Sequence, residues 1–142
     1  MKAVRHTLSV TSDEHVQIID VTRPIRDIVL EAEIVEGILL ANPLHTTCTL
    51  LVSEAEAVLV GELRSILGRL VAERAGYKHD DPRYSDCERG NACAHLRAAL
   101  LGKSVAMSII GGELSLGACQ SILLAELDGP RRRGIDVQIL GV

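Results

Sequence analysis

Ser104–Arg133, SVAMSIIGGELSLGACQSILLAELDGPRRR, carries two alternating apolar runs, two glycine turns and three consecutive arginines. Val105, Met107 and Ile109 alternate with Ser104, Ala106 and Ser108, the two-residue period of a half-buried strand. Gly111-Gly112 then turns the chain into Glu113 to Leu116, so the segment reads as a hairpin. Gly117 interrupts the returning run, a sign of a bulge or of a backbone that closely approaches a bound group. After Cys119 and Gln120, Ser121 to Ala125 reads as a buried strand that Asp128-Gly129-Pro130 breaks. If Arg131 to Arg133 open the next strand, which ends with Ile135 to Leu140, Arg131 and Arg133 share one face and Arg132 takes the other. Two planar guanidiniums on one face suit phosphate or carboxylate groups; the competing reading is a solvated charge run.

Outward from this stretch, Ala3 to Val10 reads as a first strand with Val4, His6, Leu8 and Val10 facing inward, and His15 to Asp20 as its hairpin partner. His6 is thereby expected to be a hydrogen-bonded core residue, and His15 to be solvated. Thr22 and Pro24 start a helix whose Ile25, Ile28, Val29 and Ala32 recur at helical spacing. Ile34 to Ala41 and His45 to about Val52 read as strands separated by Asn42-Pro43. Ser53-Glu54-Ala55-Glu56 has the form of a capping box, and the apolar positions from Ala55 to Val71 predict a long helix lying on a sheet and ending at Gly76. Tyr77 to Gly90 is a polar loop. Asn91 is placed as the cap of a further helix with Ala92, Leu96, Ala99 and Leu100 as its stripe, closed by Gly102. Written as β-β-α-β-β-α-β-β-β, the order is blocked rather than strictly alternating and predicts an α+β domain with a mostly antiparallel sheet.

The 142 residues are read as a single domain, 1–142, long enough to bury a substantial core. With 47% hydrophobic residues but no Phe or Trp and only two Tyr, that core is aliphatic. The lack of rings on which bases stack, with a net charge of −4, argues against a nucleic-acid partner. No apolar run approaches the roughly 20 residues of a membrane span and the first residues lack a hydrophobic signal segment, so no membrane and a cytoplasmic location are the default expectations. Cys48, Cys87, Cys93 and Cys119 contain no CxxC pair and are expected to be free thiols.

Three histidines stand at suggestive positions: His45 at the mouth of a strand, His79 in the long loop and His95 in the first turn of a helix. Three neutral imidazoles with one open position are a common way to hold catalytic zinc, although these spacings match no local zinc motif and ordinary polar or core roles also fit. Asp80 and Asp81 suit orienting His79, holding magnesium beside a phosphate, or a solvated turn before Pro82. Glu54 reads either as a carboxylate complementing a helix dipole or as a general base near His45. Cys119 is weighed as a nucleophile, but no histidine lies beside it in sequence.

The ordered set His45-Thr46-Thr47, Glu54, Tyr77-x-His79-Asp80, Asn91-x-x-Ala94-His95-Leu96, Leu101-Gly102-x-Ser104, Gly112-x-Leu114-x-Leu116-Gly117-x-x-Gln120 and Glu126-x-Asp128-Gly129-Pro130-Arg131-x-Arg133 resembles the YjbQ family. Its members are small proteins described as secondary thiamine-phosphate synthases. The resemblance implies an α+β fold with a curved, barrel-like antiparallel sheet carrying helices, and a homotrimer with sites near subunit contacts. It also implies a weak synthase activity joining a hydroxymethylpyrimidine diphosphate to a thiazole phosphate. On that reading the substrates are phosphorylated small molecules. Arg131 and Arg133 hold phosphate oxygens, Gly117 and Gln120 line the site, and Asp80 or Asp81 holds a divalent metal such as magnesium. His45, His79 and His95 converge on one pocket, with or without zinc. Alternatives are a metal-dependent hydrolase built on the three histidines and a non-enzymatic trimeric metal- or small-molecule-binding protein. Two departures stand out: Gly117-Ala118-Cys119-Gln120 replaces the family's usual Gly-Thr-Trp-Gln, and Ser53-Glu54 followed by Ala57 and Leu59 replaces a more acidic helix start.

Overall fold

In chain order the computed structural model, which describes residues 1–142, contains β1 (Lys2–Thr11), β2 (Gln17–Asp20), α1 (Thr22–Ala32), β3 (Glu36–Pro43) and β4 (Cys48–Ser53). It continues with α2 (Ala57–Leu70), a 3-10 turn at Lys78–Asp80, α3 (Ala92–Leu101), β5 (Val105–Ile110), β6 (Glu113–Leu114), β7 (Ser121–Glu126) and β8 (Arg132–Gly141). This is an α+β fold whose three helices and eight strands correspond to the segments named one by one from the sequence, one helix and one strand more than the condensed order written for them. The strands form two antiparallel sheets, ordered β1-β8-β3-β5-β6 and β2-β7-β4, which curl together into a half-barrel. The expected β5–β6 hairpin is present: Ile110 pairs with Glu113 across Gly111 and Gly112. Both glycines have positive φ, +62° and +84°, the left-handed backbone that a two-residue hairpin turn demands.

Alternation in the strands and the helical stripe of α1 together make one aliphatic core. Leu39 and Ala41 of β3, Ile109 of β5, and Ile135, Val137 and Ile139 of β8 face Leu50 of β4 and Ile122 and Leu124 of β7. Ile25, Ile28, Val29 and Ala32 of α1 close it, the four positions that the spacing picks out. A smaller cluster of Leu67, Ala94, Ala98, Ala125 and Leu127 joins α2 and α3 to β7.

Several expectations fail for tertiary reasons. The opening strands do not pair with each other: β1 runs its whole length against β8, and β2 pairs with β7 in the other sheet. His6 keeps its inward register opposite Val137, but β1 is an edge strand, and the imidazole is exposed rather than in the core. The cap of α2 is Glu56, not Ser53; its carboxylate accepts from the amides of Val58 (3.0 Å) and Leu59 (2.8 Å). The helix ends at Leu70 and buries only Leu67, so it does not lie flat on a sheet. In α3 the buried positions are Ala92, Cys93, Ala94, Arg97 and Ala98, whereas Leu96 and Leu100 are exposed. Asn91 gives no side-chain cap; the Ala92 amide donates to Asp80 Oδ1 at 2.8 Å instead.

Arg97 explains the rotation of α3. Its buried guanidinium donates from Nε (3.1 Å) and Nη2 (2.8 Å) to the Val71 carbonyl, satisfying the end of α2. Replacing Arg97 with Ala removes both bonds and leaves a buried carbonyl unpaired, with an expected loss of about 1–3 kcal/mol in urea unfolding. Amide exchange should accelerate first in the last turn of α2; unchanged exchange there would remove Arg97 from this role.

Candidate functional site

Three connections pass from one sheet to the other at a single corner: residues 12–16 between β1 and β2, 44–47 between β3 and β4, and 127–131 between β7 and β8. Backbone bonds sew them together, from Ser12 N to Arg131 O (2.9 Å), Gly129 N to His15 O (2.9 Å) and Leu127 N to Thr47 O (3.2 Å). Beneath them lies an ion pair with almost no solvent contact. Arg133 donates from Nε to Glu126 Oε2 (2.7 Å) and from Nη2 to Glu126 Oε1 (2.5 Å), and Nη2 also donates to Thr47 Oγ1 at 2.9 Å. Glu126 further accepts from Ser12 Oγ (3.0 Å) and the Asp128 amide (2.8 Å). One buried carboxylate and one buried guanidinium thus touch all three crossings.

Burial by itself pushes the Glu126 carboxyl up, but the hydrogen bonds from Arg133, Asp128 and Ser12 outweigh it and hold the group below its ordinary value. Arg133 therefore points into the protein with its Nε and Nη2 engaged, and Arg131, on the same side of the strand, is half-buried and turns to Asp128.

Asp128 gathers a second set of groups. Its Oδ2 accepts from Asn91 Nδ2 (2.9 Å) and Arg131 Nη2 (2.9 Å), with Arg89 Nε 3.4 Å away. Asn91 and Arg89 line an open groove of about 720 Å³ together with His15, Arg74, Tyr77, Asp80 and Asp81. His15 closes its edge, its Nδ1 3.2 Å from Gly129 O. The groove is mostly polar, and its lining sets two arginines, Arg74 and Arg89, against three carboxylates, Glu73, Asp80 and Asp81, a mixture that offers donors to an anion and oxygens to a cation. Asp80 spends Oδ1 on the α3 amide, and Asp81 is clasped by Arg83, whose Nε lies 3.0 Å from each oxygen and whose bonds hold its carboxyl below the ordinary range.

The histidines fall into two places. His79 and His95 meet edge to face with ring centroids 5.0 Å apart, in a cleft shared with Tyr77, Lys78, Ala92 and Leu96. His45 instead packs over Gly134, whose amide donates to its Nε2 at 3.0 Å, and its carbonyl accepts from Lys103 Nζ. Burial and the charges of Arg133 and Lys103 push the His45 imidazole below its ordinary value, which keeps Nε2 an acceptor. No group of three or more His, Cys, Asp or Glu side chains within the chain has a metal-holding arrangement. Glu54 lies elsewhere, exposed at a mostly apolar groove of about 760 Å³ between α2 and the β4–β7 strands. Gly117 and Gln120 bind each other, Gly117 N donating to Gln120 Oε1 at 2.8 Å, in an exposed turn with Cys119.

Sequence reading missed Arg89, Arg74 and His15 as groove residues and took Asn91 only for a cap. The available signal was chemical: Asp128, in a glycine-proline turn before arginines, needs partners when buried, and Asn91 and Arg89 supply them.

Replacing Arg133 with Met leaves Glu126 buried and uncompensated, with an expected loss of about 3–5 kcal/mol at neutral pH. Because the Glu126 value is depressed on folding, its stabilisation is present above the ordinary carboxyl value of 4.5 and is lost as pH falls through the folded value. Urea unfolding between pH 7 and pH 3 should show this loss in the parent chain and less of it in Glu126→Gln; parallel profiles would contradict the assignment.

The sequence and the fold have close counterparts. The family model described as UPF0047 protein YjbQ-like matches residues 6–142. A UPF0047 protein from Methanothermobacter thermautotrophicus is 35% identical over 141 residues, covering 99% of this chain and 94% of the relative. Another from Archaeoglobus fulgidus is 38% identical over 133 residues, covering 94% and 98%. The crystal structure of a YbjQ-like protein of unknown function from Sulfolobus solfataricus superposes with a TM-score of 0.92 at 31% identity, over 99% of both chains. With nearly every residue matched in sequence and in fold, this chain belongs to the YjbQ-like UPF0047 family.

Proposed function

We propose that the groove beside Asp128 binds phosphorylated heterocycles and supports a thiamine-phosphate-synthase reaction. The observation that carries this reading is that Asn91 and Arg89, which line the groove, converge with Arg131 on the buried Asp128 behind it. In the reaction the thiazole nitrogen supplies the electron pair for a new carbon–nitrogen bond. The carbon–oxygen bond to the diphosphate breaks, and the oxygen keeps its pair. No proton has to leave the attacking nitrogen, so the protein's task is to position two rings and to stabilise negative charge on the departing pyrophosphate. Arg89, Arg131 and Arg74 supply that charge, and Asp128 orients the first two. Magnesium, bound by a single carboxylate and the phosphates themselves, would be held by Asp80 Oδ2, since Asp80 spends only Oδ1 on the Ala92 amide while Arg83 engages both oxygens of Asp81; it would neutralise the leaving group. Arg133 acts here through position, by holding the corner on which Arg131 stands.

Purified protein given hydroxymethylpyrimidine diphosphate and thiazole phosphate should form thiamine phosphate, and more of it with magnesium. Arg89→Ala and Arg131→Ala should each lower kcat/KM by about tenfold or more. No product above the blank, or two unaffected variants, would sink the proposal.

A homotrimer accompanies this reading. What supports it is the apolar surface a single chain leaves uncovered: Val58, Leu59, Ile66 and Leu70 on α2, Leu100 on α3, and Ile38, Leu40, Ile110 and Leu140 on the outer sheet face. A three-histidine site, and with it the hydrolase alternative, requires a second copy to supply an imidazole. Sedimentation equilibrium should give about 46 kDa from a 15.3 kDa chain, and Leu40→Glu with Leu70→Glu should lower it. A parent chain sedimenting as a monomer at micromolar concentration would refute the assembly.

A further inference from the structure

Of the three consecutive arginines, Arg132 is the one that neither the core nor the groove takes up. It faces outward from the five-stranded sheet, on the side opposite the buried Ile135, Val137 and Ile139. The register fixes what stands around it. Thr11 pairs with Arg132, Ser9 with Gly134, Thr7 with Asp136, and Arg5 with Gln138, so all eight share one face. Arg132 and Arg5 lean toward each other along this strip: Arg132 Nε donates to Ser9 Oγ at 2.7 Å and Arg5 Nε to Asp136 Oδ1 at 2.8 Å.

Each arginine is thus anchored through Nε, while its terminal nitrogens make no hydrogen bond within the protein. Between them lies Gly134, which has no side chain, bordered by Thr7 and by the His45 ring; a Cβ built on Gly134 would meet Leu44, His45 and Thr7 at 3.7–3.9 Å. His45 receives the Gly134 amide on Nε2, which leaves Nδ1 as its donor. Lys103 is held against the His45 carbonyl and brings a further positive charge. Against these donors stands a single carboxylate, Asp136, and it is already paired with Arg5.

We propose that this strip, with Arg5 and Arg132 as its two arms, Gly134 as its floor and Thr7, Ser9 and His45 at its sides, is an anion site for the phosphate group of a small molecule. A flat guanidinium at each end offers two parallel N–H donors to tetrahedral oxyanions, and the hydroxyls of Thr7 and Ser9 supply shorter-range donors. Phosphate rather than carboxylate is favoured because donors approach from two ends of the strip, and a carboxylate has two oxygens on one edge.

The test is a titration of the intact, isotope-labelled protein with inorganic phosphate, followed by the amide resonances of Gly134 and Ser9, with sodium chloride at matched ionic strength as control. Saturable shifts at both amides are expected with phosphate and not with chloride. Arg5→Gln and Arg132→Gln, both at exposed positions where folding is preserved, should each weaken binding by about tenfold. Asp136→Asn keeps an acceptor for Arg5 while deleting the strip's one negative charge and should tighten binding several-fold. No saturable shift at Gly134 and Ser9, or a response that survives both arginine substitutions, overturns the proposal. A response unaltered by Asp136→Asn does the same.

Discussion

The buried pair of Glu126 and Arg133 is the constraint on which the rest of the molecule depends. A half-barrel made of two sheets must send its chain from one sheet to the other several times, and each crossing interrupts regular hydrogen bonding. Here three crossings meet at one corner, and the pair, with Ser12 and Thr47, supplies what the interrupted backbone lacks. No buried side-chain polar atom in the chain is left without a partner. Desolvating two charges is expensive, so such a pair adds less to stability than its contacts suggest; its stronger effect is on specificity, because any other arrangement of the corner strands a charge in the core.

Three neighbouring side chains leave this corner in three directions. Arg133 enters the core, Arg131 turns to Asp128 beside the groove, and Arg132 reaches over the outer sheet face. The groove and the outer strip are therefore mechanically tied to the same buried pair. Arg131 and Arg89 meet Asp128 beside the groove and keep contact with water, while the arginine fully enclosed by its partner serves the scaffold. A charge run that looks uniform in sequence is divided by strand alternation and by unequal access to water.

Local patterns were readable where one rule sufficed. The β5–β6 hairpin followed from alternation and two glycines, and α1 from proline at its start and four apolar positions at helical spacing. Long-range pairing was not readable in the same way. The alternation of β1 says which face is buried but not which strand lies alongside, and β8 offered a ten-residue register where β2 offered four residues. Helices α2 and α3 misled because their sequences are apolar on more than one side. Which side is covered depended on the Arg97 bond to Val71 and on how much sheet was left to cover.

The sequence by itself determined the α+β class, the aliphatic core, the hairpin, the first helix, and the ordered motifs that place the chain in its family. These are properties of spacing and residue type, and they act within a few residues. Only the tertiary structure decided that His79 and His95 meet while His45 sits over Gly134, that Asn91 serves Asp128, and that Arg133 is a buried anchor. Those outcomes depend on which distant segments compete for the same buried carboxylate or the same strand edge, and that competition is settled only when the two sheets close around their common corner.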